Sequence, residues 1–287
     1  MRLLDYFKEE RNDERPQYGF VDLHGHLIPG VDDGPRDFSE SLDLLRDAHR
    51  SGTRWALATP HAFTRKWGMA DPQAVIEVFQ RFRQRLQETR HRFRCRFLDS
   101  FQIGPGAENK VCSGFLRAVK QGRVMTLNNS RYILTEFSTY EDENQVFETL
   151  DAILRKGLIP LLAHPERQVR RTRCGPCFNR LARQGGCFLI NASSLDGSFG
   201  PRARWNGLEV LGDLPDSCML ASDGHRPATR PLMLLKAWRS LSRDFPGEQV
   251  KKWTHTFPHR VLGNQDLLDG KALEALPDSF PQTDPYG

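Results

Sequence analysis

His24 and His26 flank a glycine, His164 stands in Ala163-His-Pro-Glu-Arg167, and Asp223 and His225 flank a second glycine. Between these segments lie Asp33, His61, Glu108 and Glu136, each just after an apolar run. The nine side chains, five imidazoles and four carboxylates, are candidate metal ligands and include no thiolate. Hard oxygen and borderline nitrogen donors suit Mn, Zn or Fe better than a sulfur-bound structural zinc. Nine ligands exceed what one tetrahedral ion takes. The set therefore points to two or three ions, a kind of cluster that activates water against phosphate esters.

Taken singly, most of these signals have an ordinary reading. Residues two apart on a strand point to the same side, so His24 and His26 can face one ion, but a lone His-x-His is weak evidence. Pro29-Gly-Val-Asp-Asp-Gly-Pro35 is a tight turn carrying two carboxylates, and Asp-Gly is common in turns for conformational reasons alone. His61 after Ala58-Thr-Pro60 reads equally well as a loop histidine, and Glu108 after Gly104-Pro-Gly106 as a solvated glutamate. Glu136, inside Tyr132-Ile-Leu-Thr-Glu-Phe137, is harder to dismiss, because a carboxylate within an apolar strand must be neutralised, paired or metal-bound. His164, after Leu161-Leu-Ala163, is placed in the same way. The recurrence at strand end after strand end carries the metal reading. His49, His91, His255 and His259 fall in helices or among charges and read as structural.

The elements that must position these groups alternate strand and helix. Strands are expected at Phe20–His24, Trp55–Thr59, Phe97–Ile103, Tyr132–Phe137, Ile159–Ala163, Cys187–Asn191 and Cys218–Ser222. Most are short apolar runs, as in parallel strands buried on both faces. Helical periodicity runs from Phe38 to Ala48, stopping at Gly52, and from Asp71-Pro72 through Leu86. Further helices are expected at Ser113–Gln121, Asn144–Lys156, Pro176–Arg183, Thr229–Leu241 and Glu248–Leu262. Six of the seven strands end in or lead into a candidate ligand, and the sixth ends in Asn191. A barrel brings all its strand ends to one mouth, whereas an open doubly wound sheet gathers only those beside its switch point. The expected fold is thus α/β, a distorted (β/α)7 TIM-like barrel over residues 18–265. An N-terminal extension (1–17) and a polar tail (266–287) flank it, with no second domain.

Composition sets the outer limits. The chain has 287 residues, 38% of them apolar, and no apolar run long enough to span a bilayer. Its N-terminus lacks a signal-peptide core, so a cytoplasmic protein without membrane insertion is expected. A net charge of +5, without a basic stripe, argues against a nucleic-acid partner. The densest positive cluster, Arg167, Arg170, Arg171 and Arg173, reads as a solvated loop face or as an electropositive mouth for a phosphorylated substrate. Six cysteines show no disulfide framework. Cys174-Gly-Pro-Cys177 spells an oxidoreductase motif but lacks the strand–helix setting that chemistry needs, and reads as incidental.

The ordered set resembles the polymerase-and-histidinol-phosphatase (PHP) family of metal-dependent phosphoesterases, in particular its CpsB-like branch of capsule- and exopolysaccharide-associated tyrosine phosphatases. The resemblance covers roughly residues 18–262. Besides the segments quoted above it is carried by Asp22-Leu-His-Gly-His26, Glu40-Ser41, Gly106-Ala-Glu108, Asn129-Ser-Arg131, Asn191-Ala-Ser-Ser194, Gly197-Ser-Phe-Gly200 and Ala221-Ser-Asp-Gly-His225. It implies the PHP fold and metal ligands His24, His26, Asp33, His61, Glu108, Glu136, His164, Asp223 and His225, with Asp32 a weaker substitute for Asp33. It implies a phosphate held by Arg167 and Arg230, with Arg226 an alternative to Arg230. The implied cofactor is two or three divalent ions, manganese first, with Fe, Zn or Mg as alternatives. The implied substrate is the phosphotyrosine tail of a bacterial tyrosine autokinase. Rival readings are a small-molecule phosphatase of the histidinol-phosphate kind, a nuclease, or a scaffold that has lost catalysis; the last predicts a broken ligand set, and none of the nine positions is broken.

Overall fold

The computed structural model describes residues 15–67, 71–137, 143–168 and 175–267, apart from the side chains of residues 143, 144 and 175–177. Arg170, Arg171, Arg173, Cys174, the Cys177 side chain, most of the N-terminal extension and nearly all of the tail lie outside the described residues.

The described residues contain nine strands: β1 Phe20–Gly25, β2 Thr53–Ala58, β3 His61–Ala62, β4 Gln102–Pro105, β5 Glu108–Lys110, β6 Tyr132–Glu136, β7 Ile159–Ala163, β8 Cys187–Asn191 and β9 Cys218–Ala221. All pairings are parallel, in the orders β1-β2-β4 and β3-β5-β6-β7-β8-β9. The two sheets are one wall. Ala58 stands opposite Pro105 and His61 opposite Glu108, so β3 continues β2, and β5 continues β4, in unchanged register. Pro60 and Pro105 have no amide hydrogen for the ladder, which is why the staves break there. Nine strands thus make seven staves.

The wall closes between the first and last staves. Gly25 and Gly224 form a parallel bridge, the Asp223 amide donates to the His24 carbonyl (3.0 Å) and the His26 amide to Gly224 (2.8 Å). Leu232 packs against both glycines so closely that a Cβ at either position would collide with it. The Asp22 carboxylate spans the seam from within, accepting the His24 and Ser222 amides at 3.3 and 3.1 Å. Distortion appears below Asn109, where β4 and β6 do not pair and the turn Leu127–Asn129 fills the gap, with Asn128 against Gly104.

Helices cover the outside as their apolar faces require. In Phe38–Arg50, capped by Asp37, the buried residues Ser41, Leu44, Leu45 and Ala48 recur at helical spacing. Pro72–Phe93 starts on an Asp71 cap and buries Val75, Phe79, Phe82 and Leu86. Three elements differ from the sequence expectation. The run from Phe97 opens as a 3-10 turn, because Leu98 and Phe101 pack with Phe79, Phe82 and Leu86, and pairing begins only at Gln102. The helix expected from Thr229 begins at Leu235, because residues 226–230 turn back on themselves through an Arg226–Arg230 bridge. Gly200–Asp213 is a further helix that three glycines and an exposed Trp205 conceal from periodicity. The expected helix from Glu248 is present but passes through a π turn at Lys252–Thr256, just before Pro258, whose missing N–H removes one α-type bond.

Candidate metal and phosphate site

All nine candidate ligands reach one end of the barrel, the C-terminal ends of its staves. His24 is on β1 with His26 just beyond it, His61 and Glu108 open β3 and β5, Glu136 ends β6, His164 follows β7, and Asp223 and His225 follow β9. Two adopt left-handed backbone conformations unusual for non-glycine residues, His164 (φ 36°) and Asp223 (φ 53°). Each is pinned by its amide, His164 to Leu189 at 2.8 Å and Asp223 to His24 at 3.0 Å. Strain held in this way is characteristic of functional sites.

Glu108 lies at the centre. Its Oε1 is 2.9 Å from His164 Nε2 and 3.3 Å from His24 Nε2, and its Oε2 is 2.9 Å from His61 Nδ1 and 3.5 Å from His26 Nε2. His61 Nε2 and His225 Nε2 each stand 3.4 Å from Asp33 Oδ1. Three groups hold ligand atoms within 4.8 Å of one another: His26, Asp33, His61 and His225; His24, His26 and Glu108; His61, Glu108 and Glu136. His164 and Asp223 stand outside these groups yet touch them, His164 through Glu108 and Asp223 Oδ1 through His26 Nε2 at 3.5 Å.

The donors fit metal better than they fit one another. His24 Nε2, His26 Nε2, Asp33 Oδ1, His61 Nδ1 and Glu108 Oε2 are buried without a hydrogen-bond partner, although His61 Nδ1 and Glu108 Oε2 are only 2.9 Å apart. Buried polar atoms left unpaired are costly, and atoms that converge without hydrogen-bond alignment are arranged for a shared cation. The described residues therefore contain several clusters able to chelate divalent metal ions.

Electrostatics follow the crowding. Burial alone would raise Glu108 and Asp223, but the surrounding imidazoles, His24 foremost, hold both carboxyls well below their usual range. Burial disfavours a charged His61, yet Asp33 and Glu108 lift its pKa to about 10. The same contest, decided by Asp32, raises His26. Glu136 is pushed up by burial and by the charge of Glu108, a repulsion that cations between the two would reverse.

Asp32, which the sequence ranks below Asp33, holds a different place. Its Oδ2 is 2.7 Å from His26 Nδ1 and accepts the His61 amide at 3.1 Å, while Oδ1 accepts the Gly34 amide at 2.9 Å. It orients His26 so that Nε2 faces the cluster, the outer-partner role typical of metal-binding histidines. The Asp223 carbonyl does the same for His225 Nδ1 at 2.8 Å.

The arginines converge on Asp223. Its Oδ2 accepts Arg167 Nη1 at 2.8 Å, Asn191 Nδ2 at 3.1 Å and Arg230 Nη2, while Oδ1 faces the histidines. Arg226 instead donates to the Gly34 carbonyl at 3.1 Å, fastening the Asp32–Asp33 turn. Arg167 lies 4.2 Å over the Phe199 ring, and Arg230 stands 6.0 Å from the same ring. Glu166 anchors the short helix Pro165–Gln168 that carries Arg167. It is buried, accepts Ser194 Oγ at 2.6 Å and the Asn191 amide at 3.3 Å, and its carbonyl accepts Asn206 at 3.0 Å. Sequence reasoning missed Asn191, Glu166 and Phe199 as parts of this site; their positions at a strand end, beside His164 and between two glycines were the available signals. Trp67, also unremarked, lies parallel to the His61 ring (3°) with centroids 6.4 Å apart.

Cysteine takes no part among the described residues. Cys112 caps the helix Ser113–Gln121, and burial raises the thiols of Cys187, to about 12, and Cys218. No described helix is long and apolar enough to cross a membrane.

Comparison with known proteins agrees with this geometry. The family described as "Capsular polysaccharide synthesis, CpsB/CapC" matches residues 20–263. The putative tyrosine-protein phosphatase CapC of Staphylococcus aureus is 30% identical over 75% of this chain and 80% of its own length. The tyrosine-protein phosphatase CpsB of Streptococcus agalactiae is 30% identical over 81% of this chain and 93% of its own. A solved structure from work on YwqE of Bacillus subtilis and CpsB of Streptococcus pneumoniae, "unique metal-dependent tyrosine phosphatases", superimposes with a TM-score of 0.73 at 28% identity, covering 85% of this chain and 95% of that one.

Proposed function

Because this chain belongs to the capsular polysaccharide synthesis CpsB/CapC family, we propose that it is a metal-dependent phosphotyrosine-protein phosphatase. Its substrate in this reading is the phosphotyrosine tail of a bacterial tyrosine autokinase that controls capsular or exopolysaccharide synthesis. The observation that carries the reading is the shared carboxylate of Asp223, one oxygen among unpaired metal donors and the other among the arginines.

In this reading His24, His26, Asp33, His61, Glu108, Glu136, His164, Asp223 and His225 hold two or three divalent ions, manganese first, with Fe, Zn or Mg as alternatives. The ions supply the Lewis acidity that lowers the pKa of water toward neutrality. Glu108, with both oxygens among imidazoles, would be the carboxylate at the centre of the residues that hold them. Arg167 and Arg230 neutralise the non-bridging phosphate oxygens, a task for which planar forked donors are suited, and Asn191 keeps Asp223 in place for both halves. Arg226 acts on the turn rather than on substrate. A tyrosine leaving group, with a phenol pKa of roughly 10, needs less protonation help than an alkoxide. His26 and His225 have their Nδ1 atoms committed to Asp32 and the Asp223 carbonyl, so each would act through Nε2.

The test is hydrolysis of a phosphotyrosine peptide, histidinol phosphate and single-stranded DNA by the full chain under one metal condition. We expect the peptide to be preferred, activity to vanish on chelation and return with Mn, and thiol alkylation to have no effect. Loss on alkylation with resistance to chelation, or preference for either other substrate, defeats the reading.

A further inference from the structure

Among the described residues, Trp67 belongs to none of the apolar clusters that make up the core, although it is half-buried. It sits five residues beyond β3, where its amide donates to Thr64 Oγ1 at 3.2 Å, and its ring lies parallel to His61. That is also where the site opens. The Asp33 side chain is 43% exposed, Glu136 18% and His61 15%, while the other six candidate ligands are at 5% or below. The indole thus borders one of the three candidate ligands that solvent reaches.

The described contacts of the ring are with His61 and Lys66. Parallel rings in full overlap stand about 3.5 Å apart; at 6.4 Å between centroids, His61 leaves much of the indole face uncovered. The Lys66 ammonium, 4.2 Å from the ring, comes from an exposed side chain and can move aside. Phe199 cannot offer the same surface, since Arg167 already covers it.

The geometry points to Trp67 as a specificity-determining residue whose indole stacks on the aryl group of an aryl phosphate monoester and so favours aryl over alkyl phosphates. This inference rests on the phosphatase reading and goes beyond it by assigning the leaving-group side of the site. Aromatic pairs prefer offset or edge contacts, which a ring at the rim of a half-open site can supply.

Calorimetric binding of phenylphosphonate and methylphosphonate to the Mn-loaded full chain tests it without turnover. The wild-type protein is expected to bind the phenyl compound more tightly. Trp67→Ala should lose about 5- to 10-fold of that preference, the scale of one aromatic contact, with methylphosphonate affinity and bound-metal content unchanged. Trp67→Phe should retain most of it. Because Trp67 is outside the core, the melting temperature should stay within about 2 °C. Undiminished phenyl preference in Trp67→Ala refutes the assignment. So does an equal loss for both phosphonates with reduced metal content, which makes Trp67 a support for His61. Wild-type protein that binds neither phosphonate defeats the phosphatase reading itself, and this inference with it.

Discussion

Replacing Asp32 by Asn puts the outer layer of the metal site under direct test. Three donors meet on this carboxylate: the His26 ring at 2.7 Å, the Gly34 amide at 2.9 Å and the His61 amide at 3.1 Å. An Asn side chain offers one acceptor oxygen and a donor-only NH2 group, so at least one of the three donors must face another donor. In either amide orientation the His26 ring loses the charge beside it, and with the NH2 at the Oδ2 position it loses its fixed tautomer or its orientation as well. Losing such an outer partner typically weakens metal binding by about 10- to 100-fold, equivalent to about 1.4–2.8 kcal/mol. Chelator competition with Mn should therefore show a dissociation constant raised by that factor. Activity on phosphotyrosine peptide should return when Mn is raised to match. Asp33→Asn, which alters a candidate ligand rather than a support, should not recover fully. Mn affinity in Asp32→Asn within about twofold of wild type would refute the orienting role, as would a loss that excess metal leaves untouched in a protein with normal melting temperature.

Arg167→Lys and Arg230→Lys keep the charge but lose the fork, and steady-state kinetics should show kcat/KM down by roughly 10- to 100-fold in each; the double variant should fall by less than the product, because both arginines grip Asp223. In metal-free protein His61 titrates near 10, lifted by Asp33 and Glu108 against its burial. Metal must displace that proton, so calorimetry in buffers of different ionisation enthalpy should record proton release at pH 7 and tighter binding as pH rises. The raised pKa of His61 stabilises the metal-free fold fully below its ordinary value of 6.5, and this stability is lost as pH climbs through about 10. The metal-free melting temperature should fall across that window, and the metal-loaded one should fall less. Phe199→Ala should weaken inhibition by inorganic phosphate about threefold to tenfold by freeing the Arg167 guanidinium, while Phe199→Trp preserves it.

Much of this was legible in the sequence because strand ends announce themselves. Apolar runs that stop abruptly at His, Glu or Asp place those residues at one mouth, and all nine candidates do converge there. Adjacent residues are harder. Asp32 and Asp33 share a turn and a chemistry, and only the direction each side chain takes separates the one beside His26 Nδ1 from the one among the open ligand atoms. Phe199 and Trp67 were illegible for another reason: their partners, Arg167 and His61, are brought to them by folding or by loop geometry that no periodicity encodes. The breaks at Pro60 and Pro105 could be read as ends of strands, but not as interruptions after which the same stave resumes.

The seam that closes the barrel sets the order in which the site can come into being. Asp22 reaches the Ser222 amide across 200 residues of sequence, and four candidate ligands, His24, His26, Asp223 and His225, come from the two margins of that seam. A nascent chain that has not yet emitted its ninth strand holds the early histidines without Asp223, one of the two carboxylates that face them. Contacts so distant in sequence form late, after their loop-closure entropy has been met. Once they form, an ion bound across both margins favours the closed state by mass action. An ion held there would double as a clasp, and the nine candidate ligands are together only once the ninth strand has joined the first.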